Sequence, residues 1–357
     1  MNLRLVPVLA LSILLVTACG GSSGVPPGQK IALLLPATGD RYDAHDRPAF
    51  LDKLGRLCAD CKVLYSAAKQ GSDQESQAKA AISGGASVIV LDPVDKAAAA
   101  TIVAAAKTAN IPVISYDGIV ANTLGLSYYV GFDTVAVGAL QGNALLTAMG
   151  GKTSGKTAPK ILELNGDPND QAATVFKMGA HSVLDGKVQL VKEYSTPGWK
   201  QANAEAETQS VLSGLGHNRL DGVLAANDAI AAGAIAALKT SVVRPLPPVT
   251  GQGAGLAAIQ RIVAGEQYMT VYESIRLEAE TAAQLAYDLT FGVTVPVSMI
   301  NGNTINNGAA DVPAVLVTPA SVTRANIEST VVADGYWSAD EICTSQYISA
   351  CAAEGIS

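Results

Sequence analysis

From Lys30 onward, short β-branched and aliphatic runs alternate with longer alanine-rich stretches. Apolar runs at 31–35, 63–65, 88–91, 113–116, 129–131, 160–164, 188–194, 222–225, 249–251 and 269–272 have the length of strands. Several are apolar on both faces, the pattern of a parallel sheet covered by helices. Between them, 49–57, 74–83, 96–109, 135–149, 172–184, 200–212, 230–238, 256–264 and 275–291 read as helices, and Gly84-Gly85 stops the second. Such alternation builds right-handed βαβ units on parallel strands. About eight units exceed one open sheet, so the expected fold class is α/β with two doubly wound parallel-sheet lobes. One barrel of eight parallel strands fits less well, because 125–131 and 292–311 interrupt the alternation.

Polar residues recur where the apolar runs stop. Ile89-Val90-Leu91 runs into Asp92-Pro93, Ile114-Ser115-Tyr116 into Asp117, and Leu162-Glu163-Leu164 into Asn165-Gly166-Asp167-Pro168-Asn169-Asp170-Gln171. Leu224-Ala225-Ala226 leads to Asn227-Asp228, and Val249-Thr250-Gly251 to Gln252. Open α/β sheets bind ligands at the carboxyl ends of their strands. Carboxylates and amides there supply both acceptors and donors, as hydroxyl-rich molecules require. Some of these acids read instead as helix N-caps, with Asp95, Asp133 and Asp228 expected in that role.

The first residues have a different pattern. Residues 1–18 hold one charge, Arg4, followed by the apolar run 5–16, the proportions of a secretory signal and too short to span a bilayer. Leu15-Val16-Thr17-Ala18-Cys19 then resembles a bacterial lipobox, in which Cys19 is acylated and becomes the mature N-terminus. The segment 19–28 reads as a flexible tether. The expected mature chain has 339 residues (357 − 18), exported and lipid-anchored outside the cytoplasmic membrane or in the periplasm. Its charge is −8, because the −7 of the full chain loses Arg4.

Export decides how the other cysteines read. Cys58-Ala59-Asp60-Cys61 and Cys343 with Cys351 are close pairs, each expected to form a local disulfide. A zinc site is the weaker reading because the three histidines, His45, His181 and His217, are scattered. A redox Cys-x-x-Cys would open a helix after a strand, whereas this pair follows a helix and precedes a strand. With 31 acidic residues against 24 basic ones, the chain lacks the basic field of a nucleic-acid surface. No metal-ligand spacing, cofactor motif or nucleophile elbow appears in the sequence.

Several stretches together carry a family resemblance: Asp46-Arg47-Pro48-Ala49-Phe50, 225–235 around Asn227-Asp228, Ile262-Val263-Ala264-Gly265 with Met269-Thr270-Val271-Tyr272, and Asn306-Asn307-Gly308 with Asp311-Val312-Pro313. Asn326-Ile327 with 330–335 completes the set. The chain resembles the sugar-binding lipoproteins of ABC importers with the periplasmic-binding-protein type I fold, nearest the D-xylose-binding proteins, over about residues 30–335. The resemblance implies two lobes joined by three crossover segments, with a sugar between them and hinge closure around it. It implies an N-terminal lobe at 29–134 plus 275–297, a C-terminal lobe at 135–274 plus 306–330, and a disulfide-bearing tail at 331–357.

Carried over position by position, the ligand-binding residues would be Arg41 and Tyr42, Asp117, Asp170 and Gln171, Trp199, Asn227, Gln252 and Glu273. Trp199 stands in the polar context Thr196-Pro197-Gly198-Trp199-Lys200, where stacking on a sugar is more natural than core packing. Trp337 is expected to cover the outside of a lobe. Gly118, Gly253 and Glu273 replace a family Arg, Asp and Lys, which shifts the expected ligand from xylose to "a sugar or polyol". The implied partners are the ABC permease and the membrane that holds the lipid on Cys19, with no nucleic acid. A receptor feeding a sensor or chemotaxis partner remains an alternative, and an exported sugar-acting enzyme a weaker one.

Overall fold

A computed structural model describes residues 28–37, 41–150, 158–215 and 220–356. The expected signal peptide, Cys19, nearly all of the tether, and His217 lie outside the described residues.

The first layer is a seven-stranded sheet. In chain order it contains β1 (Lys30–Pro36), β2 (Lys62–Ala68), β3 (Val88–Leu91), β4 (Val113–Tyr116) and β5 (Leu126–Phe132). The second layer contains β6 (Lys160–Asn165), β7 (Gln189–Ser195), β8 (Gly222–Ala225) and β9 (Met269–Tyr272). The chain then returns to the first sheet with β10 (Thr304–Asn306) and β11 (Asp311–Val317), and ends its strands in the second layer with β12 (Ala320–Thr323). The first sheet runs β10-β11-β5-β4-β3-β1-β2, parallel throughout except for the edge pair β10–β11. The second joins β7-β6-β8 in parallel and β12 to β9 antiparallel, with bridges Val223–Val249 and Gln252–Val271 linking the two parts.

β1 is buried on both faces, and its alternation sorts the core. Ile31, Leu33 and Leu35 meet α1 (Arg47–Leu57), while Ala32 and Leu34 meet α2 (Gly71–Ser83) and α3 (Ala100–Thr108). In the second layer α4 (Thr134–Met149) and α5 (Gln171–Leu184) cover one face of β6 beside Ile161. On the other face α6 (Gln201–Leu215) and α7 (Asp228–Thr240) cover Leu162 and Leu164. α8 (Leu256–Val263) packs against the second layer, and α9 (Ile275–Phe291) returns to the first core through Ala279, Ala282 and Ala283. Three short helices follow: α10 (Val297–Ile300), α11 (Ala339–Ile342) and α12 (Ile348–Glu354).

The chain therefore crosses between the layers three times, after Phe132, Tyr272 and Val317. One expectation needs correction. The segment 306–330 does not belong wholly to the second lobe, because β11 pairs in parallel with β5 and extends the first sheet; only β12 onward joins the second. The expected strand at 249–251 shrinks to the isolated bridge at Val249. Cys58 is bonded to Cys61, and Cys343 to Cys351. The tail packs into the second lobe through Ile342, Cys351 and Ile356 beside Ala254 and Ile259. Trp337 is half-buried in that cluster and donates Nε1–H to the Ala254 carbonyl at 2.8 Å, so it is an anchor of the tail and not an outer cover.

Candidate functional site

At the carboxyl ends of β3 and β4 the side chains gather around Arg41. This residue precedes a π-helical turn, Tyr42–Asp46, that runs directly into α1. Its guanidinium spans three carboxylates: Asp46 at 3.2 Å, Asp117 at 3.1 Å and Glu278 at 3.1 Å. Asp46 and Glu278 are fully buried. Asp46 also accepts the Tyr116 hydroxyl at 2.6 Å. Burial alone would lower the Arg41 pKa, but Asp117, Asp46 and Glu278 outweigh it and hold the group charged. Burial raises Asp46 and Glu278, which are carboxylates that tolerate ionisation only while Arg41 faces them.

Asp117 ends β4 with φ of +54°, a left-handed conformation that turns the chain sharply. Its carbonyl accepts the Tyr129 hydroxyl at 2.8 Å. Beside it Asp92 ends β3, with the Tyr42 hydroxyl and the Gly118 amide facing its carboxylate. Burial first, and then Asp117, push Asp92 well above the usual carboxylate range. Gly118 lies so close that a Cβ there would stand 3.0 Å from Asp92 Oδ1 and 3.1 Å from Pro93, which leaves little room for a longer side chain.

Glu273, immediately after β9, accepts a 2.5 Å hydrogen bond from Gln252. Burial pushes its carboxyl up to about 7, with Asp117 adding to the shift and Gln252 opposing it. Gly253 beside it has φ of +111°, a conformation a side chain strains to adopt. Arg41 is thus within electrostatic reach of Asp46, Asp92, Asp117, Glu273 and Glu278. The group is acidic overall and rich in hydrogen-bonding groups.

A second group lies at the end of β6. Trp199 closes a 3-10 turn (Pro197–Trp199) with φ of +56°. Its indole nitrogen donates to Asp170 Oδ2 at 3.2 Å, and its ring meets Phe176 edge-on at 6.3 Å. The ring covers Gly166 so closely that a Cβ there would sit 2.0 Å from it, so only glycine fits beneath. Asp170 Oδ1 caps α5 through Ala172 N at 2.9 Å, while Gln171 is exposed in the first turn of that helix. At the end of β8, Asn227 caps α7 through Ile230 N at 2.9 Å.

The structure therefore brings Arg41, Tyr42 and Asp117 together, with Gln252 and Glu273 within reach of them, and joins Asp170 to Trp199. Among the described residues no hydrogen bond, ion pair or ring contact ties Trp199 or Asn227 to Arg41. Sequence reasoning left out Asp46 and Glu278, and noticed Asp92 only as a strand end. Asp133 caps α4 and Asp95 receives the amides of Ala97 and Ala98, both in cap-like roles. Asp228 is not the cap of α7: it is the first helical residue, and its buried carboxylate accepts Gln267, Gly255 and Thr270 at 2.8–3.1 Å. Burial pushes it up to about 6 against those bonds.

Comparison with known proteins gives this geometry a context. Residues 31–292 match the family described as the periplasmic binding protein domain. The D-xylose-binding periplasmic protein of Escherichia coli (strain K12) is 35% identical over 303 residues, covering 83% of this chain and 87% of that protein. The multiple sugar-binding periplasmic receptor ChvE of Rhizobium radiobacter is 32% identical over 286 residues, 76% of this chain and 80% of its own. A glucose-bound ABC transporter solute-binding protein from Clostridium phytofermentans superimposes with a TM-score of 0.72 at 26% identity, over 88% of this chain and all of that one. These relatives are named as binding proteins.

Proposed function

Because the chain belongs to the periplasmic binding protein family, we propose that it captures a monosaccharide or sugar alcohol between its two lobes and delivers it to an ABC importer. It is a binding protein and not an enzyme. The observation that carries the sugar reading is the Arg41 group: strand-end carboxylates and an arginine, aimed by buried partners, offer the donors and acceptors that a ring of hydroxyls needs. Trp199, with Asp170 at its nitrogen, supplies the aromatic face for the C–H side of the sugar, and Asn227 and Gln171 supply amides from the second lobe. Ligand touching both lobes favours the closed form by its differential affinity for it.

The balance of charge supports a neutral ligand over an acidic one. Five carboxyl groups share one guanidinium, and burial with mutual repulsion already pushes Asp92, Glu273 and Glu278 toward their protonated forms, so a sugar acid would bring a further negative charge into a site that disfavours the ones it has. The absence of side chains at Gly118 and Gly253, together with the carboxylate at Glu273, supports a ligand range other than that of a strict xylose receptor. Isothermal titration of the mature protein against pentoses, hexoses, polyols and the matching uronates tests this. Saturable one-to-one binding of a neutral member, with its uronate at least about tenfold weaker, is the expected result. No binding of any neutral member at millimolar concentration contradicts it.

The lipobox supports attachment through a lipid on Cys19, holding the receptor near its permease. Cys19→Ser should release the protein from the membrane fraction; unchanged membrane association contradicts the anchor.

A further inference from the structure

We propose that Glu163, His181 and Glu193 form a binding site for one divalent transition-metal ion, with Zn²⁺ the best fit, between α5 and the strands β6 and β7 of the second lobe. Glu163 points from β6 to the face covered by α5, as its neighbour Ile161 does, and so lies beneath His181. Glu193 on β7 approaches from the adjoining strand. One ligand atom from each of the three lies within 4.8 Å of the others. His181 Nε2 is 3.2 Å from Glu163 Oε1 and 3.9 Å from Glu193 Oε2. Tetrahedral zinc with bonds of ~2.0–2.2 Å separates its ligand atoms by about 3.3–3.6 Å, so the two His181 pairs lie within a few tenths of an ångström of that spacing and a rotation of the Glu193 carboxylate closes the set. Three ligands leave a fourth position open on the solvent side. One nitrogen and few oxygens suit zinc, whereas calcium takes ~6–8 oxygens.

Two further observations favour an ion. His181 Nδ1 lies 2.8 Å from Asp185 Oδ1. Such a carboxylate can hold the proton on Nδ1, so that a metal ion displaces the proton at Nε2 and takes its lone pair, the usual support of a metal-bound histidine. Glu163 is completely buried, and both its oxygens are cut off from solvent with no hydrogen-bond partner. Only the His181 ring, at 3.2 Å, stands as an ion-pair partner for this buried carboxylate, and a cation between the two relieves the remaining cost of its burial. Lys177 is the competing cation, but it pairs with Glu193 Oε1 and leaves Oε2 for the ion. Residues 163, 181 and 193 have no recognisable ligand spacing, so only the packing of α5 on β6 and β7 assembles them.

The test is a titration of the metal-stripped mature chain with ZnCl₂ against a chromogenic chelator at pH 7.5, repeated by thermal shift. Wild-type protein should bind one equivalent and melt at higher temperature with zinc. His181→Ala and Glu193→Ala should each weaken binding at least tenfold, and Asp185→Asn about 10–100-fold, while His45→Ala leaves it unchanged. Glu163→Gln should also weaken binding, and the more exposed Glu193 keeps the test open if that variant folds poorly. Equal zinc affinity in wild type and His181→Ala overturns the site. So does a wild-type protein that takes up no zinc, in which case the three groups form an ion pair closed by a proton on His181.

Discussion

Arg41 faces Asp46 and Glu278, two buried carboxylates whose burial it offsets, with the Tyr116 hydroxyl helping at Asp46. Removing the guanidinium leaves buried acids that must stay protonated or remain uncompensated. Arg41→Ala should therefore cost about 3–5 kcal/mol at pH 8 by denaturant unfolding, and less at pH 5, because the raised Asp46 and Glu278 take up protons more readily at lower pH. Equal losses at the two pH values would contradict this account. Glu273 makes a second pH-dependent contribution. Its folded pKa of about 7 lies above the unfolded value, so the protonated form favours folding; this contribution is complete below about pH 4 and is lost as the pH climbs through 7. Glu273→Gln should flatten the fall in stability of the ligand-free protein between pH 5 and pH 8 by on the order of 2 kcal/mol. An unchanged slope in paired melts would remove Glu273 from that role. Asp117 and Asp170 were legible in the sequence because they directly follow or cap apolar runs. Glu278 was not, since a glutamate in the first turn of a helix ordinarily reads as a solvated residue favouring the dipole.

At the level of elements, the closest packing is between α4 and α5. Gly138 and Gly179 let the backbones touch: a Cβ on Gly138 would stand 1.9 Å from the Phe176 carbonyl oxygen, and one on Gly179 would stand 2.1 Å from that of Val135. Gly179→Ala should cost about 3 kcal/mol, as overpacking against rigid backbone does. Gly55, inside α1 with open space around it, offers the contrast; Gly55→Ala should stabilise by about 0.5–1 kcal/mol. Chemical denaturation of the two variants checks both signs. Most strands and helices were readable because buried parallel strands leave continuous apolar runs. β11 was not read, as Pro313 and the irregular 292–311 stretch break its local pattern, and its partner β5 lies far away in sequence. The segment at 249–251 misled in the other direction: it has the composition of a strand, yet only Val249 pairs with its neighbour there.

Across the whole molecule, three crossings between the layers divide the strand-end residues into two sets. Arg41, Tyr42 and Asp117 belong to the first layer, while Asp170, Trp199 and Asn227 belong to the second. Gln252 and Glu273 lie close to the second crossing. The alternating pattern of the chain made two lobes readable, but not which lobe takes the returning strand, because that depends on pairing across nearly the full sequence. A receptor of this design should lose affinity from damage on either side of its cleft. The most direct test takes the tightest-binding neutral sugar and titrates it calorimetrically into wild type, Asp117→Asn and Trp199→Ala. Both variants should bind at least about tenfold more weakly, a loss of ~1.4 kcal/mol or more each, while remaining folded. Wild-type affinity in either variant would contradict a sugar held between the lobes.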